Sequence, residues 1–349
     1  MPSAPRPAAL LQPTRRQPLL VRPGARFVCQ ADGVCCSDVH VLGPITPAEL
    51  VPLRALHAQP AAPDASVKGL AFRTQSGGCV FLRDDHLCRV HAELGVTAKP
   101  ATCRRFPFNL VQTPAGLRVV TPHRCPCRTL GPRPPLTVEA VTQEIVIPEA
   151  PLAPDYAVAG LLRVAGKQRV RFSEWCTIEA QWLHKLQTTH DLAAALAAPA
   201  FAPGFAWNKL AAKLKVAKDG SSFETAKSCV GHAIGAALDG AAIPRLERPW
   251  ARFFDAGERR VQAAPQSSDV MLADWLADEV WSLRWVQDGS FAQHRTDLAT
   301  RLAIACQVQK ALVAAGVDRT RATAEALLVI DVITHSELWF GVSRGLGEP

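Results

Sequence analysis

The sequence lacks the segments that mark membrane and secreted proteins. It has no run of about 18 or more apolar residues, so it predicts no membrane-spanning helix. The N-terminal stretch is interrupted by Pro13, Arg15, Arg16 and Pro18, and we therefore expect no secretory signal. The sequence predicts a cytoplasmic protein without a membrane partner, in a compartment where thiols stay reduced.

Three binding motifs are also absent. No G-x-G-x-x-G follows a strand-like run, so no Rossmann-type methyltransferase domain is indicated. No C-x3-C-x2-C run occurs, so ordinary radical S-adenosylmethionine chemistry is not indicated either. No C-x2-C pair occurs, although two such pairs are typical of a structural zinc site.

The most informative residues that are present are cysteines. Thiolates are strong ligands for soft metals, and in a reducing compartment clustered cysteines favour metal binding over disulfides. The total of eleven cysteines also argues against complete pairing, because it is odd. We predict that eight of them bind metal, the last two named here being the weaker candidates: Cys35, Cys36, Cys79, Cys88, Cys103, Cys125, Cys29 and Cys127.

The spacing of these cysteines bears on the type of metal. Single ligands drawn from separate segments favour an iron–sulfur cluster, with [4Fe-4S] as the expected type, but ligand type alone leaves zinc open. Gly33 predicts a turn that would let Cys35 and Cys36 serve one site. Arg104 and Arg105 are expected to bind the cofactor as counter-charges or hydrogen-bond donors. For the histidines of this half, including His91, we favour a supporting or surface role.

The three remaining cysteines and the tryptophans belong to the second half of the chain. Cys176, Cys229 and Cys306 are isolated among apolar residues, and we expect them to pack as small hydrophobic side chains. All eight tryptophans follow residue 174, and we expect them to be core residues, with a partner-binding groove as the alternative.

The positive charge lies in the same half as the clustered cysteines. Residues 1–130 carry 16 Lys and Arg against seven Asp and Glu, a net charge of +9, whereas residues 131–349 carry −1, so the whole chain is +8. We interpret this excess as compensation for thiolate charge. A surface for an acidic partner is the alternative, whereas the absence of interleaved aromatic residues argues against nucleic acid.

The changes in composition and in apolar spacing along the chain predict an α+β protein. We expect a flexible tail (1–26), a small irregular metal-binding domain with short strands (27–130), a Pro-rich connector (131–154) and a mostly α-helical bundle (155–349). Within the first half, a helix should begin after Thr46, with Pro47 at its first position and Glu49 at its third. Strands are expected at 39–42, 79–82, 117–121 and 144–148. Helices are expected at 156–166, 173–197, 205–217, 222–238, 269–287, 293–315 and 318–340.

The cysteine segments resemble a known family. FVCQADGVCC, GGCVFL, HLCRVHAELGVTAKPATCRRFPF and CPC are similar, over about residues 27–130, to a bacterial cysteine-cluster family described as zinc- or iron-chelating. Its best-characterised members are flagellin lysine-N-methylases, which look similar to this chain over more than the cysteine half and whose second halves are also helical. It lacks their further cysteine between Cys29 and Cys35 and their Trp after the CC pair, and it has an additional Cys127.

This resemblance implies an iron–sulfur cluster and S-adenosylmethionine-dependent methylation of lysines on a protein substrate such as flagellin. The alternative is a non-catalytic metal-binding module whose helical domain binds a partner protein.

Overall fold

The computed structural model describes residues 17–131, 133–145, 152–260, 266–287 and 289–346. The predicted α+β class is confirmed, because short strands in small sheets precede a predominantly helical C-terminal region. In the described residues the strands are β1 Leu19–Val21, β2 Ala61–Asp64, β3 Gly69–Phe72, β4 Thr74–Gln75, β5 Gly78–Cys79, β6 Asn109–Thr113, β7 Gly116–Val120, β8 Tyr156–Ala157, β9 Leu161–Ala165 and β10 Gln168–Arg171.

The helices of the described residues lengthen toward the C-terminal half. They are α1 Pro47–Leu50, α2 Arg89–Leu94, α3 Ala101–Arg105, α4 Val138–Ile145, α5 Phe172–Thr188, α6 Leu192–Leu196, α7 Trp207–Lys215, α8 Ser222–Asp239, α9 Ala251–Arg260, α10 Ser268–Trp281, α11 Phe291–Ala314, α12 Arg319–Thr334 and α13 Glu337–Gly345. Short 3₁₀ helices occur at Val34–Cys36, Pro52–Ala55, Val96–Ala98, Pro126–Arg128 and Arg284–Gln287.

The largest sheet connects the N-terminal segment to the helical region. Its strand order is β1-β7-β6-β8, with β6 and β7 antiparallel and β1 parallel to β7. Arg22, directly after β1, donates from Nε to Asp278 Oδ1 of α10 at 2.6 Å and also pairs with Asp274. Part of the stretch expected to be a flexible tail is therefore ordered, while residues 1–16 lie outside the described ones.

The start of α1 has the predicted capping arrangement. The Thr46 hydroxyl accepts the N–H of Glu49 at 3.3 Å, and the Glu49 carboxylate accepts the N–H of Thr46 at 2.8 Å. This reciprocal pair satisfies two backbone donors that the first turn of a helix leaves free. Glu49 also accepts the N–H of Ala101 at 2.7 Å, which joins α1 to the start of α3.

Two hydrophobic cores organise the chain. The smaller core surrounds Leu53 and Phe81 and includes Cys79, with Cys36, Cys88 and Cys103 packed against it. The larger core runs from the β6–β7 hairpin through the long helices and contains all the tryptophans except Trp182, which packs against it. The expectation that tryptophans are core residues is confirmed. The domain boundaries themselves stay a prediction.

Several secondary-structure predictions are wrong. The helix expected at 156–166 is instead β8 and β9, because Gly160 and Gly166 take positive φ values of 77° and 49° and the second glycine turns the chain into β10. No strand forms at 39–42, where the chain turns after the 3₁₀ helix. Of the strand expected at 144–148, residues 144 and 145 belong to α4 and the rest lie outside the described residues.

The helices are all too short or too polar to cross a bilayer, as far as the described residues extend.

Candidate metal centre

Every cysteine of the chain lies in the described residues, and none of them forms a disulfide. The eight cysteines predicted as ligands separate into two groups. We call Cys35, Cys36, Cys79, Cys88 and Cys103 the Cys36 group. We call Cys29, Cys125, Cys127 and the carboxylate of Asp32 the Cys127 group.

The paired cysteines of the Cys36 group lie in the predicted turn. Gly33, with φ of 85°, begins the 3₁₀ helix Val34–Cys36, and Asp32 Oδ1 accepts the N–H of Val34 at 2.8 Å. A Cβ atom on residue 33 would lie 2.7 Å from the carbonyl oxygen of His86, so only glycine fits this approach. The two sulfurs of Cys35 and Cys36 lie 3.9 Å apart.

Cys79 joins this turn through backbone pairing. It ends a two-residue hairpin in which β4 pairs with β5, and Ser37 forms an isolated β-bridge with Gly78. A Cβ atom on residue 78 would lie 2.7 Å from Leu82 Cδ2, which explains the second glycine of the Gly77-Gly78 pair. Because Ser37 follows Cys36 and Gly78 precedes Cys79, this bridge places Cys36 and Cys79 on neighbouring segments.

Cys88 and Cys103 complete the Cys36 group from two helix starts. Cys88 forms an isolated β-bridge with Leu82 and is the N-cap residue of α2. Cys103 lies in α3. All four of Cys36, Cys79, Cys88 and Cys103 contact the smaller core. Four separate segments thus supply one thiol each to that core.

The Cys36 group contains one thiol that is already acidic. A hydrogen bond with Cys36 lowers the pKa of Cys88 to about 6, assisted by the backbone N–H groups of His91 and Val90 and by the charge of Lys99. Burial instead raises the pKa of Cys79 and that of Cys103, each to about 12. Metal binding to this group would therefore release protons at neutral pH.

The counter-charge of this group is Lys99, which the sequence analysis did not single out. Burial acts to lower the pKa of Lys99, but the charges of Cys35, Cys88 and Cys103 outweigh it and raise the pKa. Sequence spacing gave no sign of this role, because Lys99 is brought to the thiols by the short 3₁₀ helix Val96–Ala98 and the Pro100 that follows.

The two arginines predicted to bind the cofactor are engaged elsewhere. Arg104 donates from Nη1 to the carbonyl oxygens of Thr97 at 3.0 Å and Lys99 at 2.8 Å, so it fixes the loop that carries Lys99. Arg105 forms an ion pair with Asp155 and donates to the carbonyl of Ala153 at 3.0 Å. A cofactor-binding role for either residue stays a prediction.

The Cys127 group forms where the chain returns after β7. Cys127 donates from Sγ to Asp32 Oδ2 at 3.0 Å, and its sulfur accepts the N–H of Gln30 at 3.1 Å. The ligand atoms of Asp32, Cys125 and Cys127 all lie within 4.8 Å of one another. A hydrogen bond with Cys127 lowers the pKa of Cys29 to about 7. The sequence analysis missed Asp32 as a partner of these cysteines.

The histidines of this half support other contacts. The ring centroids of His40 and Phe106 are 5.1 Å apart, and those of His86 and Phe253 are 5.3 Å apart. His123 Nε2 lies 2.8 Å from Asp278 Oδ2 in the network around Arg22.

Cys229 is buried, and Cys176 and Cys306 are half-buried among helices, as expected for packing residues.

Two further buried groups have the composition of metal sites. His123 lies with Asp274 and Asp278, and His335 lies with Glu279 and Asp331. In the first group Arg22 binds both carboxylates. In the second, Arg301 Nη1 lies 2.9 Å from Glu279 Oε2. We therefore interpret both groups as structural ion-pair networks.

Comparisons of the chain with protein-family models, with curated proteins and with solved structures found no match. The cysteine groups that could hold metal are thus the main guide to function.

Proposed function

We propose that this protein binds an iron–sulfur cluster, of the [4Fe-4S] type, through Cys36, Cys79, Cys88 and Cys103. The observation that carries the proposal is the convergence of these four thiols on one small core. Four cysteine thiolates are the usual ligand set of such a cluster. Bound there, the cluster would supply one-electron chemistry and a rigid link between four chain segments.

The separation of the sulfurs supports a cluster over a single zinc ion. A tetrahedral zinc with Zn–S bonds of about 2.3 Å holds its sulfurs roughly 3.8 Å apart. In the described residues, which include every cysteine, no three sulfurs of the Cys36 group all lie within 4.8 Å of one another. A ligand set this open suits several metal atoms better than one.

The charge balance supports the same proposal. The acidic Cys88 thiol supplies a thiolate near neutral pH, and Lys99 offsets part of the negative charge that a cluster with four thiolates carries. Cys35 is exposed and its sulfur is 3.9 Å from that of Cys36, so it is the candidate replacement if Cys36 is lost.

Purification without oxygen, followed by iron and acid-labile sulfide assays, tests the proposal. We expect a brown protein that contains iron and sulfide, and loss of both in Cys103→Ser. Cys306→Ser is the matched control, because Cys306 is a half-buried cysteine of the helical region. A colourless wild-type protein that contains zinc in place of iron would refute the cluster.

Methylation of protein lysines with S-adenosylmethionine, with flagellin as a substrate, is the finer proposal, and it rests on the sequence resemblance. The transfer would require a neutral lysine amine in line with the sulfonium. The helical region has a small cavity lined by residues that include Glu279, Arg284 and His294, but its free space of about 20 Å³ holds roughly one water. Binding of the methyl donor there would need this cavity to open.

Titration calorimetry with S-adenosylmethionine separates the two functional hypotheses. Binding to the iron-loaded protein supports the methylase. An absence of binding favours a non-catalytic metal protein whose helical region contacts a partner. The cytoplasmic location is likewise a proposal, supported by eleven unpaired cysteines.

A further inference from the structure

We propose that the Cys127 group is a second, separate metal centre, and that Cys29, Cys125, Cys127 and Asp32 together bind one zinc ion. This site does not depend on whether the Cys36 group holds a cluster. It divides the eight cysteines into a set for a polynuclear centre and a set for a single ion.

The first argument is the spacing of the donor atoms. The ligand atoms of Asp32, Cys125 and Cys127 lie within 4.8 Å of one another, and the sulfur–oxygen pair of Cys127 and Asp32 is 3.0 Å apart. Zinc with bonds of about 2.3 Å to sulfur and about 2.0–2.2 Å to oxygen separates such atoms by roughly 3.5–3.8 Å. Small side-chain rotations would bring these three donors around one ion, whereas no three sulfurs of the Cys36 group, all of them in the described residues, lie this close together.

The second argument is the chemistry of the donors. Three thiols and one carboxylate combine soft and hard ligands, and zinc is a borderline ion that accepts sulfur and oxygen together. The same mixture is less suited to calcium or magnesium, which take oxygen ligands. The composition of the ligand set therefore favours zinc over calcium and magnesium.

The third argument is that surrounding groups orient the ligands. The N–H of Gln30 donates to Cys127 Sγ at 3.1 Å, as expected for a metal-bound thiolate, and Gln30 Nε2 donates to the carbonyl of Leu130 at 2.7 Å. The second bond ties the segment carrying Asp32 to the segment carrying Cys125 and Cys127. Asp32 Oδ1 accepts the N–H of Val34, and Oδ2 lies 3.0 Å from the sulfur. Contacts of this kind fix the geometry of protein metal ligands.

The fourth argument is access. Asp32, Cys125 and Cys127 are 2%, 4% and 2% exposed, whereas Cys29 is an exposed residue. Three of the four donors are therefore shielded from solvent, and the exposed Cys29 marks the side from which an ion could enter. Cys29 directly precedes Gln30, whose N–H donates to Cys127 Sγ at 3.1 Å, and on that placement we assign it as the fourth ligand.

Metal analysis of full-length variants tests this second centre. We expect anaerobic wild-type protein to hold about one zinc per chain in addition to its iron. Cys127→Ser should lose the zinc and keep the iron, and Cys103→Ser should lose the iron and keep the zinc. Zinc that is unchanged in Cys127→Ser would overturn the proposal, and so would a wild-type protein that binds no zinc when zinc is supplied. If iron is absent but zinc still depends on Cys127, only the cluster proposal fails.

A second measurement covers the case in which Cys127→Ser does not fold. Cobalt(II) added to metal-free protein should give the absorption of cobalt–thiolate bonds. Cys29→Ser, at an exposed position, should weaken cobalt binding about tenfold or more. Cys35→Ser is the matched exposed control and should leave this signal unchanged. Equal affinities in the two variants would show that Cys29 is not a ligand and would overturn the four-ligand site.

Discussion

The carboxylate of Asp32 connects the two cysteine groups: its Oδ2 atom lies 3.0 Å from Cys127 Sγ. Its other oxygen accepts the N–H of Val34 at 2.8 Å and so holds the turn that carries Cys35 and Cys36. One buried side chain thus contacts a thiol of one group and supports the backbone of the other. Substitutions at this residue should separate the two roles.

Asp32→Asn keeps an oxygen that can accept the Val34 N–H but removes the charge that binds metal. We expect it to weaken zinc binding about tenfold or more and to leave iron content unchanged. Asp32→Ala removes both contacts, so we expect it to lower iron content as well. Zinc and iron per chain, measured on both variants, check this. Equal iron loss in the two variants would show that Asp32 does not act through the Val34 turn.

Gly33→Ala should disrupt the Cys36 group. The alanine would hold a positive φ and its Cβ would lie 2.7 Å from a carbonyl oxygen, which cannot move aside cheaply. Gly240→Ala is the matched control, because Gly240 is also in the left-handed region, with φ of 66°, but has no atom within 4 Å of the added Cβ. The control should cost only the conformational term of about 1–2 kcal/mol.

Chemical denaturation and iron assays on both glycine variants test this difference. We expect a larger loss of unfolding free energy, and loss of iron, in Gly33→Ala alone. Similar stability losses in the two variants would contradict the close approach to His86.

Lys99→Gln should make the reduction potential of the cluster more negative. Removing a positive charge near the thiolates favours the oxidised form of the cluster, whose total negative charge is smaller. Lys99→Arg keeps the charge and should preserve the potential more closely. Redox titration followed by absorbance or electron paramagnetic resonance measures both. A potential that is the same in wild type and Lys99→Gln would exclude Lys99 as the counter-charge.

His294 should make the protein less stable in mild acid. Burial lowers its pKa to about 3, with a contribution from Arg301, whereas in the unfolded chain it titrates near 6.5. Below about pH 6.5 His294 is protonated in the unfolded state but stays neutral in the folded state, so the unfolding free energy falls as pH decreases toward 3. Between about pH 7.5 and about pH 5.5 this amounts to about 1 kcal/mol.

The comparison of wild type with His294→Gln isolates this effect. Glu279 acts in the opposite direction, because burial raises its pKa to about 7 and its protonation in the folded state favours folding in acid. Because the variant lacks the histidine but keeps Glu279, its unfolding free energy should fall by about 1 kcal/mol less than that of wild type over the same pH interval. Parallel pH profiles of unfolding free energy would refute the prediction.

Sequence reasoning found the features that depend on local chemistry. The capping box at Thr46 and Glu49 needs only residues within one turn. The helices expected at 205–217, 222–238 and 293–315 agree closely with α7, α8 and α11, because their apolar residues recur at helical spacing. The hairpin of β9 and β10 was missed, since its apolar residues fit a helix as well as a strand and the turn at Gly166 decides between them.

The site was predictable only in part. The candidate cysteines can be chosen from the sequence, and the turn at Gly33 follows from its glycine. Their division into two groups does not, because it depends on β7 bringing Cys125 and Cys127 back to Asp32 over about 95 residues of separation. The roles of Asp32 and Lys99 also depend on contacts distant in sequence. Arg104 and Arg105 adjoin Cys103 in sequence, whereas their contacts to the Lys99 carbonyl and to Asp155 depend on the fold, and their cofactor-binding role stays a prediction.

X-ray absorption spectroscopy at the iron edge of the anaerobic protein would show directly whether a cluster is bound. We expect iron bound by about four sulfurs with clear iron–iron scattering, since a cluster places several irons among four thiolates. Both signals should disappear in Cys103→Ser. Iron bound mainly by nitrogen or oxygen, or a protein without iron, would refute the cluster.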